Sequence, residues 1–349
     1  MKKTDRSRIR RRIYALFIFL LIFIALFYIR LPYYVTYPGE AEPLDKMITV
    51  EDGHKEKGDF MLTTIRLGKA SVIQYIFAHF NKYHMIYPEH QIKRDWESDR
   101  DYDHRQLKIM ENSQQIATIV AFQLANEPIE VRNEGVIVSG TIKEMPADKK
   151  LQAGDVIIAV DDKKIDEASK LLAYLKDKKE GDVVQLTIER NNKRKKIILP
   201  IEKFPSKYAA SKDDLRYGIG IVGPVTKTVV HTEKQVTFDT DNIGGPSAGL
   251  MFTLEIYSQL TEKDVTKGYK IAGTGEIFED GKIGAIGGIA QKVVAAHKAG
   301  ADIFFAPVSG NNYEDAKKAA KDIDTKMKIV PLKKVYEALD YLEKLEPKN

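Results

Sequence analysis

The feature that most constrains this chain is a run of seventeen residues at 13–29, IYALFIFLLIFIALFYI, that holds neither a charge nor a proline. At about 1.5 Å of rise per residue, a helix of this length crosses most of a hydrocarbon layer roughly 30 Å thick. The run is apolar on every face, whereas a helix at the surface of a soluble core needs only one apolar stripe. Tyr14, Tyr28, Tyr33 and Tyr34 stand near its ends, where an aromatic belt would lie. A cleaved signal peptide also joins a basic start to an apolar stretch, but that stretch is usually about 7–15 residues long and ends at a small-x-small site. Here the run continues into IRLPYYVTYPGE, with no such site. The expectation is a retained signal anchor at 13–29, a single transmembrane helix with the lipid bilayer as its partner.

Charge supports one orientation. Residues 1–12 hold seven cations against Asp5, a local +6, so of the formal +5 of the whole chain the remainder carries −1. A balanced body offers no phosphate-binding surface, and nucleic acid is not expected as a partner. The basic tail instead satisfies the positive-inside rule, which puts residues 1–12 in the cytoplasm and the body on the extracellular side of the cell membrane. With no cysteine, disulfides, thiolate zinc sites and a cysteine nucleophile are excluded. The seven histidines show no His-Glu-x-x-His spacing, and neither a metal nor any other cofactor is expected. No stretch fits the phosphate-cradling G-x-x-x-x-G-K-[ST] pattern. The nearest lookalike, Gly218 to Gly223, leads into Pro224 and a strand rather than a helix, so no nucleotide is expected either. The sequence leaves self-association open.

The body reads as α+β. FMLTTIRL at 60–67 is strand-like, 71–80 is helical, and 89–105 is a polar loop or exposed helix. MENSQQIATIVAFQLA at 110–125 sets Ile116, Ile119, Val120 and Leu124 on one stripe of a helix. Residues 131–203 alternate short strands with one or two helices. From about 215 strands and helices alternate again, with a hairpin turn at Asp280 and Gly281 and helices at 247–260, 289–299, 312–321 and 332–345.

Two stretches carry chemistry. In DNIGGPSAGLMFTLEI, 241–256, Gly244 and Gly245 permit a tight turn and Pro246 presets a first helical turn, so that Ser247 and Ala248 open an apolar helix. A serine there is either a helix cap or, with convergent N–H groups nearby, a nucleophile beside an oxyanion hole, and taken alone the two weigh evenly. In GGIAQKVVAAHKAG, 287–300, Ile289, Lys292, Val293 and Ala296 fall at i, i+3, i+4 and i+7, which puts Lys292 inside an apolar stripe. Its amine either reaches out to solvent or stays desolvated, with a lowered pKa and the capacity to deprotonate a hydroxyl. Periodicity does not choose between them.

Gly-Pro-Ser-Ala-Gly, then Thr274, Gly275 and Glu276, then Ile-Gly-Gly-Ile-x-x-Lys-x-x-Ala-Ala-His resemble the proteolytic domain of Lon proteases in three spaced motifs. The resemblance implies a Lon-type α/β domain over 210–346, with Ser247 as nucleophile, Lys292 as its general base and Thr274 bonded to the lysine amine. Gly245, Pro246 and Ala248 would support the nucleophile and its oxyanion hole. Many Lon enzymes carry Asp where Gly244 stands here, and often a lysine where this chain has Ala290, so Lys292 is the one candidate base of its motif. FMLTTIRL followed by MENSQQIA is similar to the opening of that domain, so 36–130 is expected to complete the protease fold around an inserted module.

That module, a β-rich segment at 131–203, resembles a PDZ domain, chiefly in MPADKKLQAGDVIIAVDDKKID with Leu151, Gly154, Asp155 and Ile157. The resemblance implies capture of an extended peptide at a sheet edge. By position Glu134, Gly135 and Val136 would form the carboxylate loop, and a helix near 169–175, including Leu172, the opposite wall. The usual carboxylate-loop sequence is not reproduced, and a packing module without ligand is the alternative. Anchor, PDZ-like module and motorless Lon-like domain in this order resemble the membrane-anchored Lon-like PDZ proteases of Gram-positive bacteria. They imply an ATP-independent serine endopeptidase acting on flexible exported peptides or on extracellular segments of small membrane proteins. The rival is a PDZ scaffold or adaptor whose Lon-like domain is inactive.

Overall fold

The uncharged run becomes the distal part of one helix, α1 (Lys2–Tyr28), in a computed structural model that describes residues 2–93, 97–205, 216–241 and 243–348. The expected boundary at residue 210 lies outside the described residues. Arg10–Tyr28 has a mean hydropathy of 2.0 and is not buried in the body, so by length and composition it is a candidate membrane span. The chain divides into two units, one made of Met1–Pro128 with Glu233–Asn349 and the other of Ile129–Thr232.

The first unit begins β1 (Arg30–Pro43), β2 (Ile48–Val50), β3 (Asp59–Ser71), α2 (Val72–Ala78), β4 (Met85–Pro88), α3 (Glu89–Ile92) and α4 (Asp99–Ala125). A capping box between Ser98 and Asp101 starts α4, and Asn126 in the left-handed region, φ 57°, ends it. The second unit supplies β5 (Ile129–Ile137), β6 (Gly140–Thr141), β7 (Val156–Val160), β8 (Lys163–Lys164), α5 (Ala168–Lys176), β9 (Val183–Arg190) and β10 (Lys193–Pro200). It closes with β11 (Glu202–Lys203), β12 (Tyr217–Gly218), β13 (Ile221–Val222) and β14 (Val225–Thr232). The first unit then resumes with β15 (Val236–Phe238), α6 (Gly249–Leu260), β16 (Lys270–Gly273), β17 (Glu276–Ile277), β18 (Ile283–Gly284) and α7 (Ile289–Lys298). It ends with β19 (Ile303–Pro307), α8 (Asn312–Asp322), β20 (Lys328–Leu332) and α9 (Val335–Glu343).

One sheet of order β20-β19-β16-β3-β1-β4 runs through the first unit. Its first four strands are parallel, and β1 and β4 are added antiparallel. Phe60 of β3 stands opposite Ile271 of β16, so chain before and after the inserted unit shares one set of hydrogen bonds. Alternation along β19 sends neighbouring side chains to opposite faces. Phe304 packs among Val293 of α7 and Ala316 of α8, while the Phe305 ring meets Tyr341 of α9 edge-on at 6.0 Å. Phe60, Phe252, Phe304 and Phe305 are fully buried, each contributing about 1.5–3 kcal/mol of transfer free energy.

In the second unit the sheet runs β10-β9-β7-β5-β14, over a core that includes Val136, Ile157, Leu171, Leu186 and Leu199. The strand Val225–Thr232 corrects the sequence-based division. It pairs with β5, Thr232 opposite Ile129, and so belongs to this unit, not to the protease-like part that follows it in sequence. An alternating strand announces itself in sequence, but its partner does not. Because the first and last strands pair, the chain enters and leaves the unit at one place.

Candidate functional site

The loop before α6 is held in place by α4. Gly245 adopts φ 91°, which favours glycine, and its N–H donates to the Gln106 carbonyl at 3.1 Å. Ser113 donates through Oγ to the Pro246 carbonyl at 3.2 Å. A Cβ on Gly244 would stand 2.7 Å from the Gln106 Cβ, so the bare backbone is what allows α4 this close. The Ser247 hydroxyl does not cap α6, whose cap position is Ala248 without any side-chain bond. It lies 2.9 Å from the Lys292 Nζ. Sequence left cap and nucleophile even; the cap role is now excluded by geometry.

Lys292 sits in the first turn of α7, which begins after Gly288 at φ 74°. The side chain is only 3% exposed, so it does not reach solvent. Its Nζ donates to the Thr63 carbonyl at 2.8 Å and meets Thr274 Oγ1 at 3.1 Å. All three polar neighbours are uncharged, and burial lowers the amine from its ordinary 10.5 to about 7. Thr274, itself fully buried, donates its hydroxyl to the Ser247 carbonyl at 2.9 Å, and the same carbonyl accepts from the Gly275 N–H at 2.9 Å. Ser247, Lys292 and Thr274, drawn from three separate motifs, are thus within hydrogen-bond reach of one another.

The topology explains why they meet. Strand β16 ends at Gly273 opposite Leu62, but β3 continues to Ser71. From Thr63 onward β3 therefore presents an unpaired edge, with Thr63 Oγ1 donating back to the Gly273 carbonyl at 2.8 Å. Along this edge lies a cavity of about 260 Å³ lined by residues 62–66, Met110, Ile243, Gly244, Ser247 and Lys292. Arg66, ion-paired with Glu40, marks its far end. Crevices at the carboxyl ends of parallel strands are where open α/β sheets bind ligands. Among the described residues no group of three or more His, Asp or Glu side chains could hold a metal ion.

The expected carboxylate loop needs correction. Glu134, Gly135 and Val136 lie within β5, paired to β14 on one side and, at Val136, to β7 on the other. Glu134 forms an ion pair with Lys227 at 2.7 Å, Gly135 sits in a bulge of that ladder, and Val136 is fully buried, so none of the three can receive a peptide terminus. The helix α5 does expose Leu172, and it packs against β12 as well as β5. Among the described residues β12 and β13 each have a strand partner on one side only, and β12 is in contact with α5. Sequence reading also missed Thr63, Gln106 and Ser113 as supports of the Ser247 loop and Lys292. Thr63 and Ser113 had a signal, inside FMLTTIRL and MENSQQIA, and Gln106 had none.

Comparison with known proteins agrees with the two-part organisation. Residues 238–344 match the Lon protease (S16) C-terminal proteolytic domain, and residues 120–201 match the PDZ domain. The Lon protease of Mesomycoplasma hyopneumoniae is 37% identical over 101 residues, 29% of this chain and 11% of that protein. The Lon protease of Trichlorobacter lovleyi is 39% identical over 95 residues, 27% of this chain and 11% of that protein. The chain therefore spans about a tenth of the length of the curated relatives it matches. Among solved structures, the PDZ domain of the SdrC-like protein from Listeria monocytogenes is 27% identical, covering 25% of this chain and 85% of that one with a TM-score of 0.22. The chain carries a Lon-type proteolytic domain and a PDZ domain.

Proposed function

We propose that this chain is a membrane-anchored serine endopeptidase that works without ATP, in which Ser247 attacks a peptide carbonyl and Lys292 takes its proton. The observation that carries the reading is the Lys292 amine, buried without a counter-charge and 2.9 Å from the Ser247 hydroxyl. For the neutral amine the surrounding partners allow one arrangement of protons. Thr274 gives its hydroxyl hydrogen to the Ser247 carbonyl, so toward Lys292 it can only accept. The Thr63 carbonyl can only accept as well. A neutral amine spends its two hydrogens on these two partners, and its lone pair is left facing the Ser247 O–H. Attack moves that hydrogen to Nζ, and the resulting ammonium returns one to the leaving amine before water releases the acyl enzyme. Pro246 has no N–H and Gly245 has committed its own to Gln106, which leaves the N–H groups of Ser247 and Ala248 for the oxyanion.

An extended substrate fits the open edge of β3. Asp59 of β3 donates to Tyr269 before β16, and Thr63 faces Lys292, so by alternation the Thr63 and Ile65 backbone groups face the edge. A slot of this kind takes unfolded segments: exported peptides or extracellular parts of small membrane proteins. The groove between α5 and 217–222 would hold a second stretch of the same peptide, and α1 would anchor the body outside the cell with residues 1–12 in the cytoplasm.

Ser247→Ala and Lys292→Ala are each expected to remove cleavage of an unstructured peptide library while far-UV circular dichroism stays unchanged. Full activity in either variant would falsify the dyad. Protease added to intact cells stripped of their wall should digest the body, and full protection would overturn the topology.

A further inference from the structure

We propose that α2 and the turn after it form a lipid-contacting face that lies in the headgroup region beside the span. This rests on the reading of α1 as a membrane span. Ile73, Ile76, Phe77 and Phe80 fall at i, i+3, i+4 and i+7, the spacing that normally turns a stripe toward a protein core. Here it turns outward: Ile76 is 48%, Phe77 61% and Phe80 84% exposed. The other side of α2 is the packed one, with Ala78 buried against Val35 and Ala70, and the Tyr75 ring 5.0 Å from that of Tyr33. The helix is therefore not waiting for a core.

Continuity with α1 identifies the occupant. The Val72 N–H at the start of α2 donates to the carbonyl of Ile29, the residue after the end of α1, at 3.3 Å. Arg30 spans the same junction, donating to the Lys69 carbonyl at 2.9 Å and to Gln74 Oε1 at 3.4 Å. The exposed stripe thus begins where the apolar span stops, next to Tyr28 and Ile29, which are themselves exposed. Aromatic and aliphatic side chains on a short helix at that level match the headgroup–acyl boundary, where large apolar groups leave water at little cost in order. Scattered exposed apolar residues need no explanation, but a contiguous patch continuing a span does.

The absence of cysteine makes the test clean, because single-cysteine variants of the full chain can be labelled without background. An environment-sensitive NBD label is placed at Ile18→Cys, Phe80→Cys and Glu262→Cys, the last on the exposed turn after α6. The protein is reconstituted into phosphatidylcholine–phosphatidylglycerol vesicles with or without shallow nitroxide lipids. The expected result is at least twofold quenching at Ile18 and Phe80 and none at Glu262. A quenched Ile18 label with a water-like Phe80 label overturns the lipid face and spares the span. A Phe80 label shielded from water yet not quenched means that protein, a second copy or a partner, covers the stripe, and also overturns it. An unquenched Ile18 label overturns the span and this face together.

Discussion

Each of the two units holds an ionisable side chain that is almost completely buried, Asp155 in one and Lys292 in the other, and they treat it in opposite ways. In the inserted unit Asp155, 1% exposed, is gripped in two places by Arg190, at 2.6 and 2.7 Å, and accepts the Gln152 N–H at 2.8 Å. Burial pushes its carboxyl up, but the guanidinium and the N–H more than reverse this and hold it below the usual range. Lys292 in the other unit is about as deeply buried and has only a carbonyl and two hydroxyls for company. Nothing offsets desolvation there, and the amine falls to about 7. The same physical problem is solved by pairing where the role is structural. It is left unsolved at Lys292, and under the proposed function that cost to stability is the origin of the reactivity.

The comparison breaks most directly at Lys292. Lys292→Met is expected to lower kcat/KM by a thousandfold or more and at the same time to stabilise its unit. The sign follows from the lowered pKa: the unfolded chain binds a proton that the folded chain gives up between pH 7 and 10.5, so the penalty is complete below about 7 and fades toward 10.5. The gain should be on the order of 4 kcal/mol at pH 6 and vanish near pH 10, as read from denaturant unfolding at several pH values. No gain at pH 6 would mean that the amine is charged and compensated in place. Arg190→Met tests the other half. By stranding Asp155 it should destabilise the inserted unit, seen as lost amide protection across β5, β7 and β9 with protection of α6 and α7 retained.

Smaller effects sharpen the contrast. Thr274→Val keeps the shape but deprives Lys292 of an acceptor and the Ser247 carbonyl of a donor. It should reduce kcat about 10- to 100-fold with KM little changed, and Thr274→Ser should restore most of the loss. In the unaltered protein kcat/KM should fall about tenfold per pH unit below about 7, following protonation of Lys292. A profile flat to pH 5 would refute a neutral lysine base.

What the sequence made legible tracks how local each signal is. Ser247, with two glycines and a proline before it, and Lys292, inside an apolar stripe, stood out as candidates because loop chemistry and helical period act over a few residues. Their roles and their meeting were legible only through the family resemblance. The meeting depends on Lys270–Gly273 pairing with residues 59–62 across the inserted unit, which no local pattern encodes. Gln106 was illegible for another reason. It supports the nucleophile loop through its backbone carbonyl and Cβ, atoms that every residue but glycine shares, so its identity advertises nothing. Residues 134–136 were misplaced because a strand with a bulge and a tight loop use the same glycine, and only the partner strand Val225–Thr232 distinguishes them.

Strand β3 links two features that otherwise belong to different chemistries. Ser71 at one end caps α2, and Thr63 holds Lys292 through its carbonyl. Eight residues of strand at about 3.3 Å each make a spacer of roughly 26 Å between them. With α2 at the bilayer surface, that spacer sets the greatest height at which the reactive hydroxyl can stand. A substrate tethered in the same membrane would then present its scissile bond only after several extended residues had cleared the lipid. On the proposed topology, position along a tether, rather than side-chain identity, would be the first criterion of selection.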